Sequence, residues 1–253
     1  MVLARRCICF LGLLLSCACT GARSDPSLKI AAAGSLTIVF GEVSEAFREE
    51  TGIPVTVSYA STGHLAQQIR NGGPFDLFAA ADARHIDMLI DEGFLDGNTR
   101  TVYALGELVL ITQPNFEAEI HAIEDLTTNN LNHIAIANPE HAPYGLAAKQ
   151  AMESAGVWTR IADRLVYGET VRQAEQLVET GNAQAGLVAA STVQGTALVV
   201  REIPTNLYDA IEHTLAVLRS AHHRQEALRF VEFLKSGEGR RLLEAYRLRP
   251  PDA

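Results

Sequence analysis

Apolar residues recur along this chain in two alternating rhythms: short unbroken runs, and stripes spaced three and four positions apart. The run Leu28-Lys29-Ile30-Ala31-Ala32-Ala33 predicts a buried strand, and Leu36, Val39, Phe40, Val43 and Phe47 predict the helix after it. Gly34-Ser35 forms the tight turn between them, with Ser35 placed at the helix N-cap. Residues 55–58 read as a strand leading through Ala60-Ser61-Thr62-Gly63 into a helix with Leu65, Ala66 and Ile69. Asn71-Gly72-Gly73-Pro74 stops that helix. Residues 75–80 are a strand, Asp82 caps a helix with Ile86, Leu89 and Ile90, and 108–112 are a further strand.

A second half follows the same plan. Strand 134–137 runs into Asn138-Pro139-Glu140-His141-Ala142-Pro143-Tyr144-Gly145 and a helix with Ala148, Ala151, Met152 and Ala155. Strand 165–167 runs through Gly168-Glu169-Thr170 into a helix with Val171, Ala174, Leu177 and Val178. Strands at 185–190, 198–203 and 211–218 follow, and two helices close the chain. Such alternation predicts an α/β fold of parallel sheets covered by helices. It divides into lobe 1 (residues 28–105 plus 217–253) and lobe 2 (residues 106–216), each a mainly parallel sheet flanked by helices. Two crossing strands, 108–112 outbound and 211–218 returning, join them, and the last helices go back to lobe 1. Ligands of such sheets sit at the C-terminal strand ends, against helix N-termini.

The first 22 residues fall outside this pattern. Arg5 and Arg6 precede an apolar run and then small residues, which reads as a signal peptide too short to span a membrane. Thr20-Gly21-Ala22 offers one cleavage site, and Leu14-Leu15-Ser16-Cys17 resembles a lipoprotein box with Cys17 as the lipid-bearing residue. All four cysteines, Cys7, Cys9, Cys17 and Cys19, lie in this segment. The mature domain therefore has no cysteine nucleophile, thiolate metal site or disulfide, and stands on its core alone. Losing Arg5 and Arg6 takes the net charge from −9 to −11, which argues against nucleic acid or an acidic membrane surface as partner.

Four junctions share one chemistry: Gly34-Ser35, Ser61-Thr62-Gly63, Pro143-Tyr144-Gly145 and Glu169-Thr170-Val171. Each enters a helix, and none carries Lys or Arg. Their donors are first-turn backbone N–H groups, the hydroxyls of Ser35 and Thr62, and the Tyr144 phenol. A donor-only cage selects a fully deprotonated anion, because a retained proton would face another donor at a cost of roughly 1–3 kcal/mol. Sulfate, molybdate and tungstate meet that requirement; hydrogen phosphate does not.

Ala32-Ala33-Gly34-Ser35-Leu36-Thr37, Tyr59-Ala60-Ser61-Thr62-Gly63, Gly73-Pro74-Phe75-Asp76-Leu77-Phe78, Ala81-Asp82 and the stretch from Asn138 to Gly145 resemble the periplasmic molybdate-binding proteins of ABC transporters. The resemblance runs in order from about Leu28 to Tyr246. It implies a two-lobed type II periplasmic binding fold with an oxyanion site in the cleft. By position it gives Ser35 and Thr62 as hydroxyl and amide donors from lobe 1, and Tyr144 and Val171 from lobe 2, Val171 through its N–H. Some members place a small residue at the Tyr144 position and take a phenol from the motif matching Gly186-Leu187-Val188-Ala189. Here that position is Ala189, so either Tyr144 supplies the donor or the site has one contact fewer.

The expected protein is thus a non-enzymatic, monomeric receptor without a cofactor. It is periplasmic or anchored through Cys17, and passes molybdate or tungstate to the membrane permease of an ABC importer. Alternatives are a receptor for another oxyanion such as sulfate, a regulatory effector-binding domain, and a secreted hydrolase using Ser35. The regulatory reading calls for a DNA-binding helix pair where the signal peptide stands. The hydrolase reading lacks a G-x-S-x-G elbow. Glu140-His141 has no second ligand pair at metal spacing and is assigned to loop shaping, while His64 and His222-His223 are assigned to the solvated surface.

Overall fold

The apolar runs pair into two sheets of five strands. The computed structural model describes residues 27–116, 120–128, 130–235 and 237–251; the signal peptide assigned to residues 1–22, with its cysteines, lies outside them. β1 (Leu28–Ala33), α1 (Val39–Thr51), β2 (Val55–Ala60), α2 (Thr62–Arg70), β3 (Leu77–Ala80), α3 (Arg84–Asp91) and β4 (Thr101–Gly106) build the first lobe. The second holds β5 (Leu108–Thr112), β6 (Ile134–Ala137), α4 (Pro143–Ser154), the short α5 (Trp158–Ile161), β7 (Leu165–Gly168), α6 (Val171–Glu179), β8 (Ala185–Ala189) and β9 (Val199–Glu202). The chain returns in β10 (Ile211–Val217) and ends with α7 (Arg224–Lys235) and α8 (Gly237–Ala245). Among the described residues no helix is long and apolar enough to cross a membrane.

The sheets repeat one plan, β2-β1-β3-β10-β4 and β7-β6-β8-β5-β9. In each, a single strand runs against the other four: β10 in the first and β5 in the second. This is the mainly parallel arrangement that the alternating pattern predicts.

The boundary between the lobes differs from the expectation. All of β10 lies in the first sheet, paired with Leu77–Ala80 on one side and with β4 on the other, so residues 211–216 belong to lobe 1. Neither 108–112 nor 211–218 is a crossing strand. Each is an interior strand of one sheet, and the chain crosses at Glu107 and again between β9 and β10. The cause is backbone pairing: without β10, the facing edges of β3 and β4 would leave buried N–H and C=O groups unpaired. β4 itself is a strand that the apolar pattern did not predict, because Thr101, Val102 and Leu105 are only half-buried and break the run.

The closing helices do return to lobe 1. Phe230 of α7 meets Phe47 and Phe40 of α1 edge-on, with ring centroids 5.1 and 5.8 Å apart. Buried Asp76 ties the same region together, accepting the N–H groups of Lys29 and His223 at 2.9 Å each. Burial raises this carboxyl, but those two N–H groups and the His223 ring outweigh it and hold the group below the usual carboxylate range. His223 is therefore an anchor of α7, not part of a solvated face.

Candidate functional site

β1, β2, β3, β6 and β7 all deliver their C-terminal ends to one place between the sheets. Ser35, Ser61, Thr62, Ala81, Tyr144 and Val171 line a small cavity there, and among the described residues no charged side chain does. The cavity gives the centre of a water-sized sphere about 10 Å³ of room, on the order of one such sphere. The predicted residues Ser35, Thr62, Tyr144 and Val171 thus share one cavity although they span 136 positions of chain.

Ser35 differs from its expected role. It lies in a single 3-10 turn, Gly34–Leu36, and α1 starts only at Val39, so Ser35 caps no helix. Its Oγ is buried and has no hydrogen-bond partner among the described residues. Leaving a buried hydroxyl unpaired costs roughly 1–3 kcal/mol. A nucleophilic role would need a base at hydrogen-bonding distance, and this hydroxyl has none. Its carbonyl oxygen accepts the Ser191 hydroxyl of the second lobe at 2.7 Å, a contact across the cleft.

Ser61 lines the cavity as well, although within the Ser61-Thr62-Gly63 junction only Thr62 was given a role from the sequence. Ser61 stands at the N-cap of α2, where a serine oxygen ordinarily accepts a first-turn N–H, yet it makes no such bond and its Oγ is also unpartnered. The signal was its place beside Thr62. Thr62 opens α2, and its Oγ1 accepts the Ala81 N–H at 3.1 Å. That bond occupies a lone pair and leaves the hydroxyl proton free to donate.

From the second lobe, α6 begins at Val171, with Thr170 as a true N-cap whose Oγ1 accepts the Gln173 N–H at 3.1 Å. The Val171 N–H has no protein acceptor among the described residues, and neither have those of Ser35, Thr62 and Tyr144. Three helices, α2, α4 and α6, point their N-termini at the cavity, so partial positive charge gathers there without a cation.

Tyr144 does more than line a wall. Its hydroxyl lies 3.1 Å from Nε2 of His213, a fully buried residue of β10 in the first sheet. A Cβ on Gly106 would collide with that hydroxyl, so only glycine fits there. Burial pushes the His213 imidazole down to about 3, against a weaker upward pull from Asp82, and pushes the Tyr144 phenol up. Both groups are neutral at pH 7. The Nδ1 of His213 has no partner among the described residues. A bare ring nitrogen is cheaper to bury than an orphaned N–H, which assigns the proton to Nε2. Tyr144 then accepts that bond and keeps its own proton to donate, with the Ser191 hydroxyl as a hydrogen-bonding neighbour. Ala189 is buried and brings no side-chain donor.

His64 and His141 do not line the cavity; they stack at its rim, ring centroids 4.4 Å apart. Asp82 stands one residue before the N-cap of α3, Ala83, and its Oδ1 accepts the His85 N–H at 3.0 Å.

A model of the family described as bacterial extracellular solute-binding protein matches residues 28–249. The molybdate-binding protein ModA of Azotobacter vinelandii is 33% identical over 238 residues, 92% of each chain. Its namesake from Escherichia coli (strain K12) is 30% identical over 246 residues, covering 94% of this chain and 95% of that one. The solved structure of the Azotobacter vinelandii periplasmic molybdate-binding protein aligns with a TM-score of 0.85 at 28% identity, covering 89% of this chain and all of the other. With nearly the whole of both lobes matched in sequence and in fold, the chain belongs to the bacterial extracellular solute-binding protein family.

Proposed function

We propose that the protein is an extracytoplasmic receptor that closes its two lobes on molybdate or tungstate and hands the ion to the membrane permease of an ABC importer. The observation that carries this reading is the pair of orphaned hydroxyls, Ser35 and Ser61, in an uncharged cavity beside unpaired first-turn N–H groups. An unliganded cavity of this kind holds donors without acceptors, and a tetrahedral dianion supplies the acceptors. Each donor to a charged oxygen contributes about 1.5–3 kcal/mol. Ser35, Ser61, Thr62 and Tyr144 offer hydroxyl protons, and Val171 its N–H. Relatives at 30% and 33% identity are named for molybdate, which favours that ion and its tungsten analogue over sulfate.

Calorimetric titration of the purified protein tests the reading. Molybdate and tungstate are expected to bind tightly, with sulfate and phosphate orders of magnitude weaker. Tight sulfate binding with weak molybdate would keep the cage and change the ligand; no heat from any of the four would sink the reading.

Two variants separate ligand contacts from structural ones. Ser35→Ala is expected to weaken molybdate binding about ten- to a hundredfold, the worth of one hydrogen bond to a charged group. The melting temperature of the ligand-free protein should hold or rise, because an unpaired buried hydroxyl is gone. Thr62→Val should lower both affinity and melting temperature, because the Ala81 N–H loses its acceptor. A melting temperature that falls in Ser35→Ala with unchanged affinity would return Ser35 to a structural role.

A further inference from the structure

We propose that His64, His141 and Glu169 form a binding site for a divalent transition-metal ion of the zinc type, placed across the mouth of the cleft. The three residues are 77 and 28 positions apart in sequence, which is why no ligand spacing is visible in the chain. The fold brings one ligand atom from each to within 4.8 Å of the others. Oε2 of Glu169 lies 3.7 Å from Nδ1 of His64 and 3.6 Å from Nε2 of His141. Those separations are too long for hydrogen bonds. They are close to the edge of a tetrahedron around zinc, about 3.4 Å for bonds of about 2.1 Å. The carboxylate can pair with either imidazole when that ring is protonated, and with neutral rings all three groups keep lone pairs for an ion.

The backbones carrying these groups are held in place. The Gly63 N–H donates to the His141 carbonyl at 2.9 Å across the cleft, which fixes His64 relative to His141. The Glu169 N–H donates to Gln173 Oε1 at 2.7 Å. The two imidazoles stack at an interplanar angle of 25°, so a shared ion requires the exposed His64 ring to turn out of the stack. Two imidazoles and a carboxylate suit zinc, nickel, cobalt or copper, whereas calcium and magnesium take oxygen ligands. Three protein ligands leave a fourth position for water.

The site spans both lobes. His64 rides on α2 of the first lobe, while His141 and Glu169 follow β6 and β7 of the second. Opening the cleft pulls His64 away from the other two. A metal ion held by all three therefore binds the closed form better than the open one, and by linkage stabilises closure. Ligating imidazoles must be deprotonated, so affinity weakens on acidification.

The test is a zinc titration of untagged protein in a buffer free of oxyanions, with calcium as control. One zinc per chain and no calcium are expected. His64→Gln, His141→Gln and Glu169→Gln should each weaken zinc at least about tenfold, since even outer groups of a metal site are worth ten- to a hundredfold. Unchanged thermal melts certify the fold of each variant. A second measurement needs no variant: cobalt added to the unaltered protein should give the intense visible bands of a four-coordinate ion. Zinc binding that survives all three substitutions, or cobalt spectra of the free aquo ion, would overturn the site. Zinc should also slow molybdate release from the unaltered protein and not from His64→Gln; an equal rate with and without zinc would remove the coupling to closure. The zinc and cobalt readings use no anion, so they stand or fall apart from the molybdate reading.

Discussion

Gly34→Ala is expected to weaken molybdate binding at least about a hundredfold while leaving the ligand-free fold intact. Gly34 sits where the lobes touch. A Cβ there would lie 2.8 Å from Cβ of Thr170 on the opposite lobe, closer than carbon atoms approach. Thr170 cannot turn away, because the clashing atom is its own Cβ, and its hydroxyl is committed to capping α6. The added methyl therefore holds the N-terminus of α6, with the Val171 N–H, back from the first lobe. Gly63→Ala should act alike from the other edge, where a Cβ would meet Cβ of His141 at 2.7 Å. Neither glycine has a positive φ, so alanine brings no backbone strain in the open form. Displacing two donors from the anion removes on the order of 3 kcal/mol or more, about a hundredfold in affinity. Titration calorimetry measures the loss. X-ray scattering checks its cause: the unaltered protein should contract on adding molybdate, and the variants should not. A variant that binds with normal affinity would show that the cleft need not close to the observed contact.

The second large effect is on stability in acid. His213 is fully buried, and burial depresses its imidazole from 6.5 to about 3. A folded value below the unfolded one means that the unfolded chain takes up the proton first. The stability due to the neutral imidazole is thus fully present above pH 6.5. It is lost as pH falls toward 3, at up to about 1.4 kcal/mol per unit and on the order of 5 kcal/mol in all. Glu175 acts against it in part of the same window. Burial pushes its carboxyl up to about 7 despite Arg172, so its contribution is present in acid and lost as pH rises through 7. Only a difference measurement separates the two. The stability of the unaltered protein relative to His213→Gln, from urea melts at several pH values, should fall by several kcal/mol between pH 7 and pH 4. Should that variant fail to fold, the His213 ring resonance of the native protein serves instead, and is expected not to titrate above pH 4. A midpoint near 6 would mean that the Tyr144–His213 bond is solvated.

Much of the architecture was legible because it is local. The strands at 108–112 and 134–137 coincide with β5 and β6 to the residue, since each is an apolar run between breakers. The helix with Val171, Ala174 and Val178 buries those positions of α6, because periodicity of 3.6 puts them on one face. The lining of the cavity was legible for a related reason: a strand that turns into a helix favours Gly, Ser and Thr at the junction, so the turns holding Ser35 and Thr62 stand out, whereas Val171 was marked by the family resemblance. What failed were local inferences about non-local facts. Ser35 reads as a cap, but a 3-10 turn intervenes and leaves its hydroxyl unpaired. β10 reads as a crossing strand, but the gap between β3 and β4 claims it.

By itself the sequence determined the order of elements, the chemistry of the turns, the absence of cations at them, and hence the uncharged lining of the cavity. The tertiary structure alone decided which distant groups meet. Ser191 reaches Ser35 across 156 positions, Tyr144 reaches His213 across 69, and His64 finds His141 and Glu169 at the cleft mouth. The physical reason is the range of the forces that write each pattern. Backbone dihedrals and face-to-face burial act over a few residues and leave a periodic trace in the chain. Pairing between lobes depends on how two finished sheets are brought together, and it leaves single residues with no spacing to mark them.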